Sequence, residues 1–124
     1  MERKNMEWLW KAALIAAGVI GAAGVAAAAA ASHAGQSRNL TAIAAICLAH
    51  GPALAAIGLS RVRTIALGLA AACLILGTVV FTSDLGMREW TGHGLFPGAA
   101  PLGGVGMIGG WLCLGAAGFR LRES

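Results

Sequence analysis

Formal charges along this chain are bunched, and the stretches between the bunches are long, apolar and similar in length. From Ala12 to Ser37 there are twenty-six residues without a formal charge, from Asn39 to Ser60 twenty-two, and from Thr64 to Ser83 twenty. At about 1.5 Å of rise per residue, a twenty-residue helix is about 30 Å long, the thickness of a bilayer's hydrocarbon core. A fourth uncharged run extends from Trp90 to Phe119, but Gly92, Gly94, Pro97, Gly98 and Pro101 crowd its first part. Proline suits the first turn of a helix and breaks its interior, so the fourth helix is expected to start near Pro101, with Gly92 to Ala100 as an ordered loop outside the hydrocarbon or partly re-entrant. None of the runs has the period-two alternation of a barrel strand, and backbone in lipid must satisfy its own hydrogen bonds. The pattern predicts an all-α integral membrane protein, one domain over residues 1–124. It has four antiparallel transmembrane helices, at about 10–34, 39–60, 63–83 and 101–120.

Composition agrees and narrows the class. The chain has 124 residues, of which 58% are hydrophobic and 11% charged, where a soluble domain carries about a quarter charged residues. A soluble globule is excluded, and the length leaves no room for a separate catalytic domain. With the N-terminus inside, Arg3, Lys4, Lys11, Arg61, Arg63, Arg120 and Arg122 fall on the cytoplasmic side and Arg38 and Arg88 outside. The positive-inside rule then places both termini in the cytoplasm, with Trp8 and Trp10 at the inner interface and Trp90 at the outer one. The first span also has the charge, apolar core and small-residue end of a signal peptide, but its apolar stretch is longer than such segments have, and it reads as a retained helix. The net charge of +4 comes from dispersed bases with no nucleic-acid motif around them; they suit anionic head groups, so the partner is the lipid bilayer and no nucleic acid.

Helices in lipid associate through close contact of small residues, which makes glycine spacing informative. Gly18, Gly21 and Gly24 recur on the first span and Gly103, Gly106 and Gly110 on the fourth, Gly106 to Gly110 being a GxxxG step. Gly18, Gly21, Gly24, Gly106 and Gly110 are expected at helix contacts, within the chain in preference to a homodimer.

Few residues could carry chemistry. His50 lies about eleven residues into the second span, about 16 Å deep and near the midplane, with Trp111 and Cys73 at similar depth. An ionisable side chain there is a functional hypothesis by default. It has neither a second histidine nor a carboxylate at its level, so haem ligation and a proton chain lack a partner. The other reading is a neutral imidazole hydrogen-bonded to a backbone carbonyl, helped by the opening at Pro52. At the outer end His33, Arg38, Asp84, Arg88, Glu89 and His93 converge, the last three in a loop. His33, Asp84 and His93 are ligand types for a divalent metal in no recognised spacing, and salt bridges and caps explain them as well. Cys47, Cys73 and Cys113 sit in three different spans without CxxC pairing and read as small buried apolar residues. No nucleophile elbow, Walker loop, HExxH or CxxCH occurs. No cofactor, no metal and no enzymatic activity are expected.

Several segments in order resemble one family. They are Ser32-His33-Ala34-Gly35 after the Gly-rich first span, His50-Gly51-Pro52-Ala53-Leu54, and Phe81-Thr82-Ser83-Asp84-Leu85. Thr91-Gly92-His93, Leu95-Phe96-Pro97, Ala99-Ala100-Pro101-Leu102-Gly103-Gly104 and Gly109-Gly110-Trp111 follow. Together they resemble the domain of unknown function 423 family, small four-helix proteins of the bacterial inner membrane with a relative in mitochondria-bearing eukaryotes. The first span here is richer in alanine than the family pattern, and Asn39 to Cys47 lacks aromatic residues. The resemblance implies a multi-pass protein of the bacterial inner membrane and no established activity. Two functions are compatible with these readings. The favoured one is a structural or accessory subunit docking on other integral membrane subunits, such as a respiratory or other redox assembly. The other is a small oligomeric carrier or channel using His50 and the outer group to move a proton or a small solute.

Overall fold

The structure, a computed structural model, describes residues 6–33, 35 and 37–121. Arg3, Lys4 and Arg122, three of the residues behind the orientation argument, lie outside the described residues, as do Ala34 and Gln36. Four helices follow one another: α1 over Glu7–His33, α2 over Arg38–Leu59, α3 over Ile65–Thr91 and α4 over Ala99–Gly118. All four are long and apolar enough to cross a membrane.

Local chemistry sets the ends. Ser37 and Thr64 are extended residues whose hydroxyls accept from the amides of Leu40 and Leu67, starting α2 and α3. Gly92, left-handed at φ 79°, ends α3. The third helix therefore runs eight residues past the expected end at 83, a correction with a clear cause. The charges of Asp84, Arg88 and Glu89 mark the limit of the apolar run without breaking the helix, and Asp84 and Arg88 form an i,i+4 ion pair on it. Arg88 and Glu89 are thus helical, and the connection to α4 shrinks to Gly92–Gly98. The fourth helix begins at Ala99, with Pro101 inside its first turn as expected. Pro52 sits inside α2, which continues through it.

Glycine contacts define the packing. A Cβ at Gly51 would lie 3.2 Å from the Gly21 nitrogen, and one at Gly24 only 2.9 Å from Leu48 Cγ; Gly58 faces Leu14. The order of these pairs makes α1 and α2 an antiparallel hairpin. On the other side a Cβ at Gly77 would come within 2.7 Å of both the Gly103 carbonyl oxygen and the Met107 nitrogen. Gly106 faces Gly77, and Gly110 faces Leu74, so α3 and α4 form a second antiparallel hairpin with backbones in contact. Gly18 departs from the expectation: it is exposed, and a Cβ there meets no atom within 4 Å. Gly21 also has an open Cβ position, but its own nitrogen and Cα lie against Gly51, so its contact with α2 is through backbone. Gly51, Gly58, Gly68 and Gly77, with no second glycine at spacing three or four, hold contact positions that the glycine spacing does not mark.

The hairpins meet along α2 and α3, and α1 reaches α3 at the end where Gly68 faces Met6 and Leu9. Trp10 is buried at 2% exposure in the core cluster with Met6 and Leu67, its ring beside Gly68, and the Arg63 guanidinium lies 4.6 Å from its ring centroid. Arg63 also pairs with Glu7 at 3.1 Å and donates to the Ser60 carbonyl, tying the α2–α3 turn to the start of α1. Trp8 and Trp90 remain exposed. Lys11, Arg61, Arg63 and Arg120 share this end of the bundle, and Arg38 and Arg88 the other.

The α3–α4 contact predicts a sharp contrast. Gly77→Ala should destabilise the purified protein by about 1–3 kcal/mol in a denaturant titration, since backbone has to move to admit the methyl group. Gly104→Ala, with no atom within 4 Å of its Cβ position, should leave the midpoint unchanged or raise it.

Candidate functional site

His50 is buried at 5% exposure, and both ring nitrogens are used. Nδ1 lies 2.8 Å from the Ile46 carbonyl oxygen, and Trp111 Nε1 lies 3.0 Å from Nε2. A carbonyl only accepts and an indole N–H only donates, so the ring must donate from Nδ1 and accept at Nε2. Only the neutral Nδ1–H tautomer does both. The rings meet edge to face, centroids 5.6 Å apart at 70°. The expected backbone partner is present, but it is not the one proline frees. The missing amide of Pro52 releases the carbonyl of Leu48, whereas His50 folds back on Ile46, four residues earlier on its own helix. Trp111 is 42% exposed, so its ring closes His50 off from the outside.

The second polar assembly lies at the far end of α3. Asp84 is fully buried, accepts from Arg88 Nε at 2.9 Å and from the Leu95 amide at 2.8 Å. Gly94 packs directly on the Asp84 carboxylate and the Arg88 guanidinium, with no room for a Cβ. Asp84 therefore fixes the α3–α4 connection, its charge answered by the helix neighbour and its second oxygen by loop backbone. Glu89, one turn on, accepts from Ser37 Oγ at 2.7 Å and Asn39 Nδ2 at 3.2 Å. The cap of α2 is thereby fastened to the end of α3, a contact the sequence reading did not contain.

The remaining outer candidates stay apart. His33 is exposed at the last position of α1, and His93 is exposed in the connection, where its amide and carbonyl both engage the Thr91 hydroxyl. Among the described residues no three His, Cys, Asp or Glu side chains come together to hold a metal ion. The three cysteines are free, Cys47 buried and Cys73 and Cys113 partly so. Two further buried polar atoms lack a partner among the described residues, the Trp10 indole nitrogen and the Thr78 hydroxyl.

No family model matches this chain, and neither a curated protein nor a solved structure does.

Both assemblies can be tested separately. A double-mutant cycle of His50→Leu and Trp111→Phe should give a coupling of about 0.6 kcal/mol, the average for hydrogen bonds between membrane helices; additive effects would mean that the two rings do not support each other. Asp84→Ala should speed hydrogen exchange at the Leu95 amide on the order of tenfold, while Asp84→Asn, which keeps an acceptor, should change it less.

Proposed function

We propose that this chain is a non-enzymatic, multi-pass protein of a bacterial inner membrane, with both termini in the cytoplasm, acting as a structural or accessory subunit of a larger membrane assembly. The family resemblance supports the location, and the surplus of basic residues at the end carrying Lys11, Arg61, Arg63 and Arg120 supports the orientation. The docking reading is carried by α4. Among the described residues this helix packs along α3 and reaches α2 through Trp111, and its buried positions are few: Ala99, Gly103, Met107, Gly110 and Ala117. Beside Trp111, Gly104, Gly115 and Gly118 have no atom within 4 Å of their Cβ positions. A partner helix could approach the backbone there as closely as α4 approaches α3.

A small carrier or channel is the second reading, favoured by the presence of a buried imidazole at mid-span. Against it stands the engagement of both His50 nitrogens within the chain, which leaves neither free to pass a proton without breaking a bond.

Purification of the tagged chain in mild detergent tests the first reading. The expected result is a stoichiometric complex with a larger membrane protein, lost in Gly115→Leu while the thermal midpoint of the isolated chain stays the same. An isolated homo-oligomer, together with a proteoliposome proton flux abolished by His50→Gln, would establish the carrier in its place.

A further inference from the structure

A groove of about 740 Å³ opens sideways between α1, α2 and α3, at the end of the bundle that carries His33 and Arg38. It runs from Ala23 to Ala30 on α1, from Leu40 to Cys47 on α2 and from Thr82 past Trp90 on α3. Its volume is that of a ligand pocket, a few hundred to about 1,000 Å³. At about 1.5 Å per residue its walls extend roughly 10–14 Å along the helices, close to the depth of one leaflet of hydrocarbon and well short of the roughly 30 Å of a full span. Beyond Cys47 and Ala23 the same three helices close on one another around Ile20, Leu54 and Leu74. A transmembrane helix would need a track running the whole way across; this one ends where a single chain entering from one interface would end.

The outer rim adds charge complementarity. Arg38 follows directly on the α2 cap, two residues before Leu40, and has no ion-pair partner among the described residues. The neighbouring Arg88 is taken by Asp84, and Glu89 by Ser37 and Asn39. Trp90, on the groove wall and 78% exposed, leaves its indole N–H unengaged among the described residues. A cation and an N–H donor above an apolar slot match a phosphodiester and an ester carbonyl above a hydrocarbon chain.

We propose that this groove is a lipid site, holding one acyl chain of a membrane glycerophospholipid with its phosphate against Arg38. The inference rests on the membrane-spanning reading of the four helices.

The full chain is reconstituted in phosphatidylcholine bilayers containing phosphatidylglycerol with a diazirine in its acyl tail, illuminated, and mapped by peptide mass spectrometry. Adducts on Ala23–Ala30 and Thr82–Trp90 should exceed those on the outward face of α4 about fivefold per residue, a preference of about 1 kcal/mol. Gly86→Leu should remove that excess and leave α4 labelling as it was, because a Cβ at Gly86 makes ordinary contact, 3.5 Å from Trp90, and the longer side chain enters the groove. Arg38→Gln should reduce the excess without abolishing it. Equal labelling of the two faces, or an excess that persists in Gly86→Leu, would overturn the proposal. So would protection of the groove accompanied by cross-linking of Ala26→Cys between two copies, which would assign the groove to a second chain. Absence of adducts on both faces would remove the membrane reading itself, and is distinguished by the loss of α4 labelling.

Discussion

Four helices long and apolar enough to cross a membrane would gain little in hydrocarbon by turning apolar side chains toward one another, which puts the weight on how closely their backbones approach and on the few polar groups that need partners. The Gly77–Gly103 contact is where that constraint binds hardest. No side chain separates α3 from α4 there, and the carbonyl and amide groups of one helix stand within van der Waals reach of the other. The α1–α2 hairpin meets the same requirement at Gly21 and Gly51, with Gly24 against the side chain of Leu48. Between the hairpins the contact is looser and is completed by polar groups: Ser37 and Asn39 on Glu89 at one end, Arg63 on Glu7 and Trp10 at the other, and His50 with Trp111 between.

Those polar groups have different costs. Asp84 and Glu89 lie near the end of a helix, where donors are numerous and loop backbone can turn toward them. His50 has only its own helix and α4 to draw on. It takes one donor from an aromatic side chain and gives its own proton to a carbonyl that the helix ladder already uses. The resulting pair leaves no ring nitrogen without a partner, although Trp111 itself is 42% exposed.

Much of this was legible in the sequence, for a physical reason. Charge-free intervals of twenty residues or more have few other uses, so helix number and approximate position followed from Lys11, Arg38, Arg61 and Asp84. The end of α3 does not follow, because charge marks where an apolar run stops and not where a helix stops; the signal is Gly92, the expected start of the loop, and the residues from Asp84 to Thr91 belong to the helix before it. Gly106 and Gly110 stood out by their own spacing, whereas Gly77 is a lone glycine whose partner lies on another helix. Gly18 shows the opposite error, since a glycine in an alanine-rich helix can also face outward. His50 and Trp111 fall at similar depth by residue count, and a lone imidazole acceptor is the natural partner of a donor-only indole. Glu89 with Ser37 joins residues fifty-two apart, and no local pattern encodes such a contact.

The division into two hairpins also bears on how the chain is built. Each hairpin's tightest contacts join segments that are neighbours in sequence, so α1 and α2 can close on each other while α3 is still being made, and α3 can then receive α4. What remains is the meeting of two preformed units; the α2 cap can find Glu89 as soon as α3 is complete, whereas the indole of Trp111 reaches His50 only once the last helix has been made. Trp111 follows His50 by 61 residues and completes the polar environment of a histidine made long before it. Until then the acceptor nitrogen of the imidazole waits for its donor, so a histidine placed on the second helix is completed only by the fourth.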